Sequence, residues 1–126
     1  MCNPIRKAAV IDDAESDRSM MTRRLTEIGY EVNEVVSPSE LDAGPFEVAL
    51  IDMVFCGDLI GPTFCQTVSE RWPSCLIVAV SAVDKRDDIF RQALERGACA
   101  QVEKGQITES LLRGLILGHG CRRLHP

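Results

Sequence analysis

Five short apolar runs punctuate the chain, at residues 8–11, 32–36, 46–51, 76–80 and, more weakly, 99–102. Rich in Val and Ile and too short for helices, they read as strands buried on both faces. The segments between them have helical period. Met21, Leu25 and Ile28 fall at i, i+4 and i+7, with Ser16 or a neighbour placed to cap the start and Gly29 to end the helix. Phe64, Val68 and Trp72 repeat every four residues before Pro73 stops the pattern. Ile89, Phe90, Ala93 and Leu94 form a further stripe, with Asp87 and Asp88 at its positive N-terminal end and Gly97 as the stop. A last stripe runs through Ile107, Leu111, Leu112, Leu115 and Ile116, and Gly118 is placed to close it.

The second connection is shorter than the rest. Only SPSELDAGP separates the second and third runs, room for at most about two turns, so that helix should be short or irregular. Strands alternating with helices, and apolar along their whole length, predict an α/β architecture: a doubly wound five-stranded parallel sheet with helices on both faces and right-handed crossovers. In such sheets functional sites form beyond the carboxyl ends of the strands, where the strand order reverses.

At 126 residues the chain fits one domain. A net charge of −5 argues against a nucleic-acid or anionic-membrane footprint. The N-terminus MCNPIRK has no signal-peptide core and no apolar run reaches spanning length, so a cytoplasmic location is expected. Six cysteines (Cys2, Cys56, Cys65, Cys75, Cys99 and Cys121) show no metal or redox spacing and read as small hydrophobes or free thiols.

The chemistry lies where apolar runs end in acids. The run AAVI ends in Asp12 and Asp13, and VALI ends in Asp52. If these two strands are neighbours, three carboxylates meet at one edge and repel one another. A hard divalent cation resolves the conflict, and Mg²⁺ suits a small open oxygen site. The same edge receives Ser81, at the end of LIVAVS, and Lys104, after AQVE. A cation, a hydroxyl and an ammonium around one carboxylate suit a phosphoryl group carried on Asp52. Singly, each residue has a plainer reading: Asp13 as a helix cap, Ser81 as a turn hydroxyl, Lys104 as a solvated charge.

Taken together and in this order, VIDDAES, ALIDMVF, AVSA and VEKG resemble the receiver domains of bacterial two-component response regulators, and the resemblance covers essentially the whole chain. It implies the flavodoxin-like, receiver-type fold over residues 1–126, with 119–126 a tail or the start of a linker. It implies that Asp52 accepts phosphate from a histidine kinase or phosphotransfer protein and that Ser81 and Lys104 contact the phosphoryl group. Asp12, Asp13, Asp52 and the backbone carbonyl of Val54 would hold Mg²⁺. Such a domain is a phosphoacceptor that signals to a downstream protein partner, catalysing only its own phosphorylation and dephosphorylation. Val54 and Val83 would flank the phosphoryl group; neither side chain can orient a water, so slow loss of phosphate is expected.

The chain departs from the family at several positions. Gln101 stands where a signalling Tyr or Phe is usual, Gly105 where Pro follows the lysine, and Cys56 where Pro is common; Gly61 lies one residue farther from the acceptor than usual. These departures keep open a receiver-like interaction module that is never phosphorylated. An aspartyl-phosphate phosphatase is the enzyme rival, but Val54 occupies the place of the second acid such enzymes need.

Overall fold

The computed structural model of the chain describes residues 6–54, 60–81 and 87–124. Its elements are β1 (Lys7–Ile11), α1 (Glu15–Glu27), β2 (Glu31–Val35), a 3₁₀ helix (Pro38–Ala43), β3 (Val48–Asp52), α2 (Gly61–Arg71), β4 (Leu76–Ser81), α3 (Asp87–Glu95), β5 (Ala100–Glu103), a 3₁₀ turn (Lys104–Gln106) and α4 (Glu109–Leu124). All strand pairs are parallel, in the order β2-β1-β3-β4-β5. The short second connection accordingly makes a 3₁₀ helix rather than an α-helix.

The continuous apolar runs arise because alternate residues serve opposite layers. Ala9, Ile11, Ala49, Ile51, Ile77 and Ala79 pack with Phe64, Val68 and Phe90 of α2 and α3. Ala8, Val10, Val48, Leu50, Val78 and Val80 pack with Met21 and Leu25 of α1 and Leu112 of α4. Burial on both faces therefore holds for β1, β3 and β4. It fails for β2, an edge strand in which Glu31 and Glu34 are exposed, and for half-buried β5 at the other edge.

Several boundaries differ from expectation. Helix α1 has Ala14, not Ser16, at its N-cap, with no side-chain cap; Glu15 and Asp17 supply negative charge to its first turn instead. Its C-terminus is a Schellman motif: Tyr30 N–H donates to the Leu25 carbonyl, Gly29 N–H donates to the Thr26 carbonyl, and Gly29 has φ of 103°. Trp72 caps α2 rather than lying within it. Its ring meets Phe46 edge-on at 5.2 Å, lies 4.6 Å from the Arg71 guanidinium carbon, and leaves no room for a Cβ on Gly44. Leu94 points outward, and Ile107 is buried ahead of α4 rather than on it. Helix α4 runs through Gly118 to Leu124, so Gly118 does not end it.

Among the described cysteines, Cys65 and Cys75 are buried free thiols pushed up to about 12, chiefly by burial, and Cys99 is half-buried. They are packing residues, as expected. Cys2, Cys56 and the Cys121 side chain lie outside the described residues. Among those described, no helix is long and apolar enough to cross a membrane.

Candidate functional site

The alternation that builds the core also builds the site. Asp12 continues the parity of Ala8 and Val10, Asp52 that of Val48 and Leu50, and Lys104 that of Val102, all residues of the α1/α4 layer. Because β1 pairs directly with β3, with Ile11 opposite Ile51, Asp12 and Asp52 leave the sheet side by side. This is where strand order reverses, between β1 and β3.

Ligand oxygens of Asp12, Asp13 and Asp52 lie within 4.8 Å of one another. Asp12 is fully buried, Asp52 is 5% exposed, and Asp13 is exposed. Ala14 N–H donates to Asp12 Oδ1 (2.8 Å), and Val54 N–H donates to Asp52 Oδ1 (3.3 Å). Arg18, on the first turn of α1, donates to the Asp12 carbonyl (3.0 Å) and pairs with Glu34 of β2 (3.3 Å). Ser81 is buried at the end of β4, one residue past Val80, the register partner of Asp52.

Lys104 sits among three carboxylates. Its Nζ lies 2.8 Å from Asp12 Oδ2, 2.8 Å from Asp17 Oδ2 and 3.7 Å from Asp52 Oδ2. The Asp12 and Asp17 contacts are equally short, so the fully buried Asp12 Oδ2 has the Lys104 ammonium as its charge partner. Burial lowers the Lys104 pKa, but its contacts with Asp12 and Asp17 and the charge of Asp52 outweigh this and carry it upward. Burial, then the charge of Asp12, raises Asp52 to about 6, with Asp13 adding and with Lys104 and the Val54 N–H opposing.

An acid raised in the fold binds its proton more tightly there than in the unfolded chain. Its charge therefore costs stability above pH 6, by at most about 3 kcal/mol, and the cost disappears as pH falls from about 6 towards 4. With metal chelated, Asp52→Asn should be more stable than the parent at pH 7, by about 1–3 kcal/mol, and this advantage should vanish near pH 4. Urea melts across that range check this; an advantage independent of pH would refute it.

The acid trio fits a divalent cation. It offers hard oxygen donors grouped within 4.8 Å of one another, and an Asp52 whose charge is disfavoured by burial and by Asp12. Gly61, at the start of α2, packs tightly against the backbone of Asp52 and Met53. Its N–H donates to the Met53 carbonyl (3.2 Å), and a Cβ there would lie 2.5 Å from Met53 Cα and 2.8 Å from the Asp52 carbonyl oxygen.

Solved structures share this architecture. A response regulator from Burkholderia pseudomallei, determined with a phosphorylated aspartic acid, calcium ion and citrate, superposes with a TM-score of 0.78 at 23% identity, covering 94% of this chain and 71% of its own. A CheY-like receiver domain from Methanospirillum hungatei JF-1 gives 0.79 at 19% identity, covering 98% and 100%. A two-component response regulator from Clostridium difficile gives 0.77 at 17%, covering 96% and 99%. This chain has the response-regulator receiver fold. No protein-family model and no curated protein sequence matches it.

Within this receiver fold, Gln101 lies half-buried on β5 opposite Ala79, and Gly105 forms part of the 3₁₀ turn. The Val54 side chain is 43% exposed just beyond Asp52. Val83 lies outside the described residues. Sequence reasoning missed Asp17, which reads as an ordinary acid on the first turn of a helix; its contact with Lys104 spans 87 residues and is created by the fold.

Proposed function

We propose that the chain is a receiver domain that accepts a phosphoryl group on Asp52 from a phosphohistidine of a histidine kinase or phosphotransfer protein. The observation that carries this reading is the buried Asp52 carboxylate at the sheet's switch point, grouped with Asp12 and Asp13 and 3.7 Å from Lys104. The phosphorylated aspartic acid of the Burkholderia structure, and a beryllofluoride-activated receiver domain of similar fold (TM-score 0.75, 20% identity), support it.

In this reading an Asp52 carboxylate oxygen attacks phosphorus as the P–N bond breaks, and the departing imidazole keeps the bonding pair and takes a proton. Asp12, Asp13, Asp52 and the Val54 carbonyl would hold Mg²⁺, which when bound neutralises the phosphoryl oxygens. The Lys104 ammonium neutralises further charge, and the Ser81 hydroxyl donates to a phosphoryl oxygen. The domain signals by changing conformation towards a downstream protein partner and catalyses only its own phosphorylation and dephosphorylation. Incubation with Mg²⁺ and a small phosphodonor, followed by mass spectrometry, tests the reading. A single phosphate located on Asp52 is expected, and an unmodified protein would favour a non-phosphorylated interaction module.

Loss of the phosphate should be slow. Hydrolysis needs a water held in line, and Val54, two residues past the acceptor, has no side-chain group to hold one. Val54→Asn should shorten the phosphorylated lifetime by about tenfold, roughly 1.4 kcal/mol of barrier. A decay time course after donor removal checks this, and an unchanged or longer lifetime would rule the account out.

A further inference from the structure

Lys104 lies closer to two other carboxylates than to Asp52. Its ammonium donates to Asp17 at 2.8 Å, lies equally close to Asp12 Oδ2, and stands 3.7 Å from Asp52. Asp17 lies outside the acid trio, on the first turn of α1, where an acid ordinarily only complements the helix dipole. The next residue, Arg18, donates to the carbonyl of Asp12. One helical turn thus grips the site twice, through the lysine and through the backbone of the first acid.

A phosphoryl group would alter the balance of this grip. It adds close to two negative charges and strong acceptor oxygens beside Asp52, whose surroundings are buried. Asp17, with a side chain 36% exposed, can exchange the lysine for water at small cost, whereas a buried phosphoryl oxygen cannot. Gln101 offers no ring to carry the change along β5, while the Asp17–Lys104 contact joins the start of α1 directly to the 3₁₀ turn that follows β5.

Resting on the phosphoacceptor reading above, we propose that Asp17 is a positioning residue: it holds Lys104 back from Asp52, and phosphorylation draws the lysine to the phosphoryl oxygens, so that the first turn of α1 registers the modification. A state that must first break the Asp17–Lys104 bond binds a phosphoryl mimic less tightly than one in which that bond is already gone.

The test uses the full chain, saturating Mg²⁺ and beryllofluoride as the mimic, read by affinity and by the backbone amide resonances of residues 15–18. In the parent these resonances should shift on binding. Asp17→Asn should bind about tenfold more tightly, the scale of one charge-assisted hydrogen bond, with its free spectrum at 15–18 already displaced towards the bound one. Asp17→Glu should behave like the parent. Glu15→Gln removes the same charge from an exposed position on the same turn and should stay within about twofold of the parent. Equal affinity for Asp17→Asn and parent sinks the proposal alone, as does an equal gain from Glu15→Gln, which would reveal a simple field effect. A parent that binds no beryllofluoride sinks the phosphoacceptor reading and this proposal with it.

Discussion

Asp52→Ala should take up no phosphate under conditions that label the parent fully, a loss of at least about 10³-fold in rate. The size of the effect follows from the geometry of the neighbouring acids. Asp12 cannot substitute, because it is fully buried, one oxygen receives the Ala14 N–H and the other faces Lys104 at 2.8 Å. Asp13 is the exposed member of the trio, away from the buried position that Asp52 shares with Asp12 at the ends of β1 and β3. Chelating the cation in the parent should slow labelling by about 10²-fold or more, since an incoming phosphoryl group would meet three clustered carboxylates with no divalent charge to offset them. Labelling time courses by intact mass measure both. A variant that labels at the parent's rate, or a parent indifferent to chelator, would show that the acceptor lies elsewhere.

Gly61→Ala should be the most damaging single-methyl change near the site, costing about 2–4 kcal/mol of stability and at least tenfold in labelling rate. The added carbon would meet Met53 Cα at 2.5 Å and the Asp52 carbonyl oxygen at 2.8 Å, both backbone atoms that cannot rotate away. Relief requires moving either the start of α2 or the peptide that carries Asp52. Gly105→Ala is the matched control, with open space around the new carbon, and should stay within about 0.5 kcal/mol of the parent. Urea denaturation of the two variants side by side tests the contrast, and equal stabilities would remove the close approach as the reason for Gly61.

The fold was legible because the central strands are buried on both faces, so that residues 8–11, 46–51 and 76–80 stand out as unbroken apolar runs. The same rule misjudged β2, since an edge strand needs to bury little and tolerates Glu31 and Glu34 in the open. Helix ends were legible where backbone geometry demands glycine, as at Gly29, and illegible where no side chain decides them, as at Ala14 and Gly118. The strand-end positions of Asp12, Asp13, Asp52, Ser81 and Lys104 followed from the strands. Asp17 did not, because whether an acid on a first turn touches only water or a lysine 87 residues away depends on how α1 lies over the sheet.

Trp72, the chain's only tryptophan, is seated at the start of β4, the end of the sheet remote from the acids. Along the axis of helix α2, the Trp72 backbone lies about 16 Å from Gly61. The Phe46 edge and the Arg71 guanidinium hold the ring, and neither belongs to the acid trio. The fluorescence of this ring should therefore serve as an optical probe of the intact fold, and an unfolding curve followed at its emission should keep one baseline with the acids bare, metal-loaded or mutated.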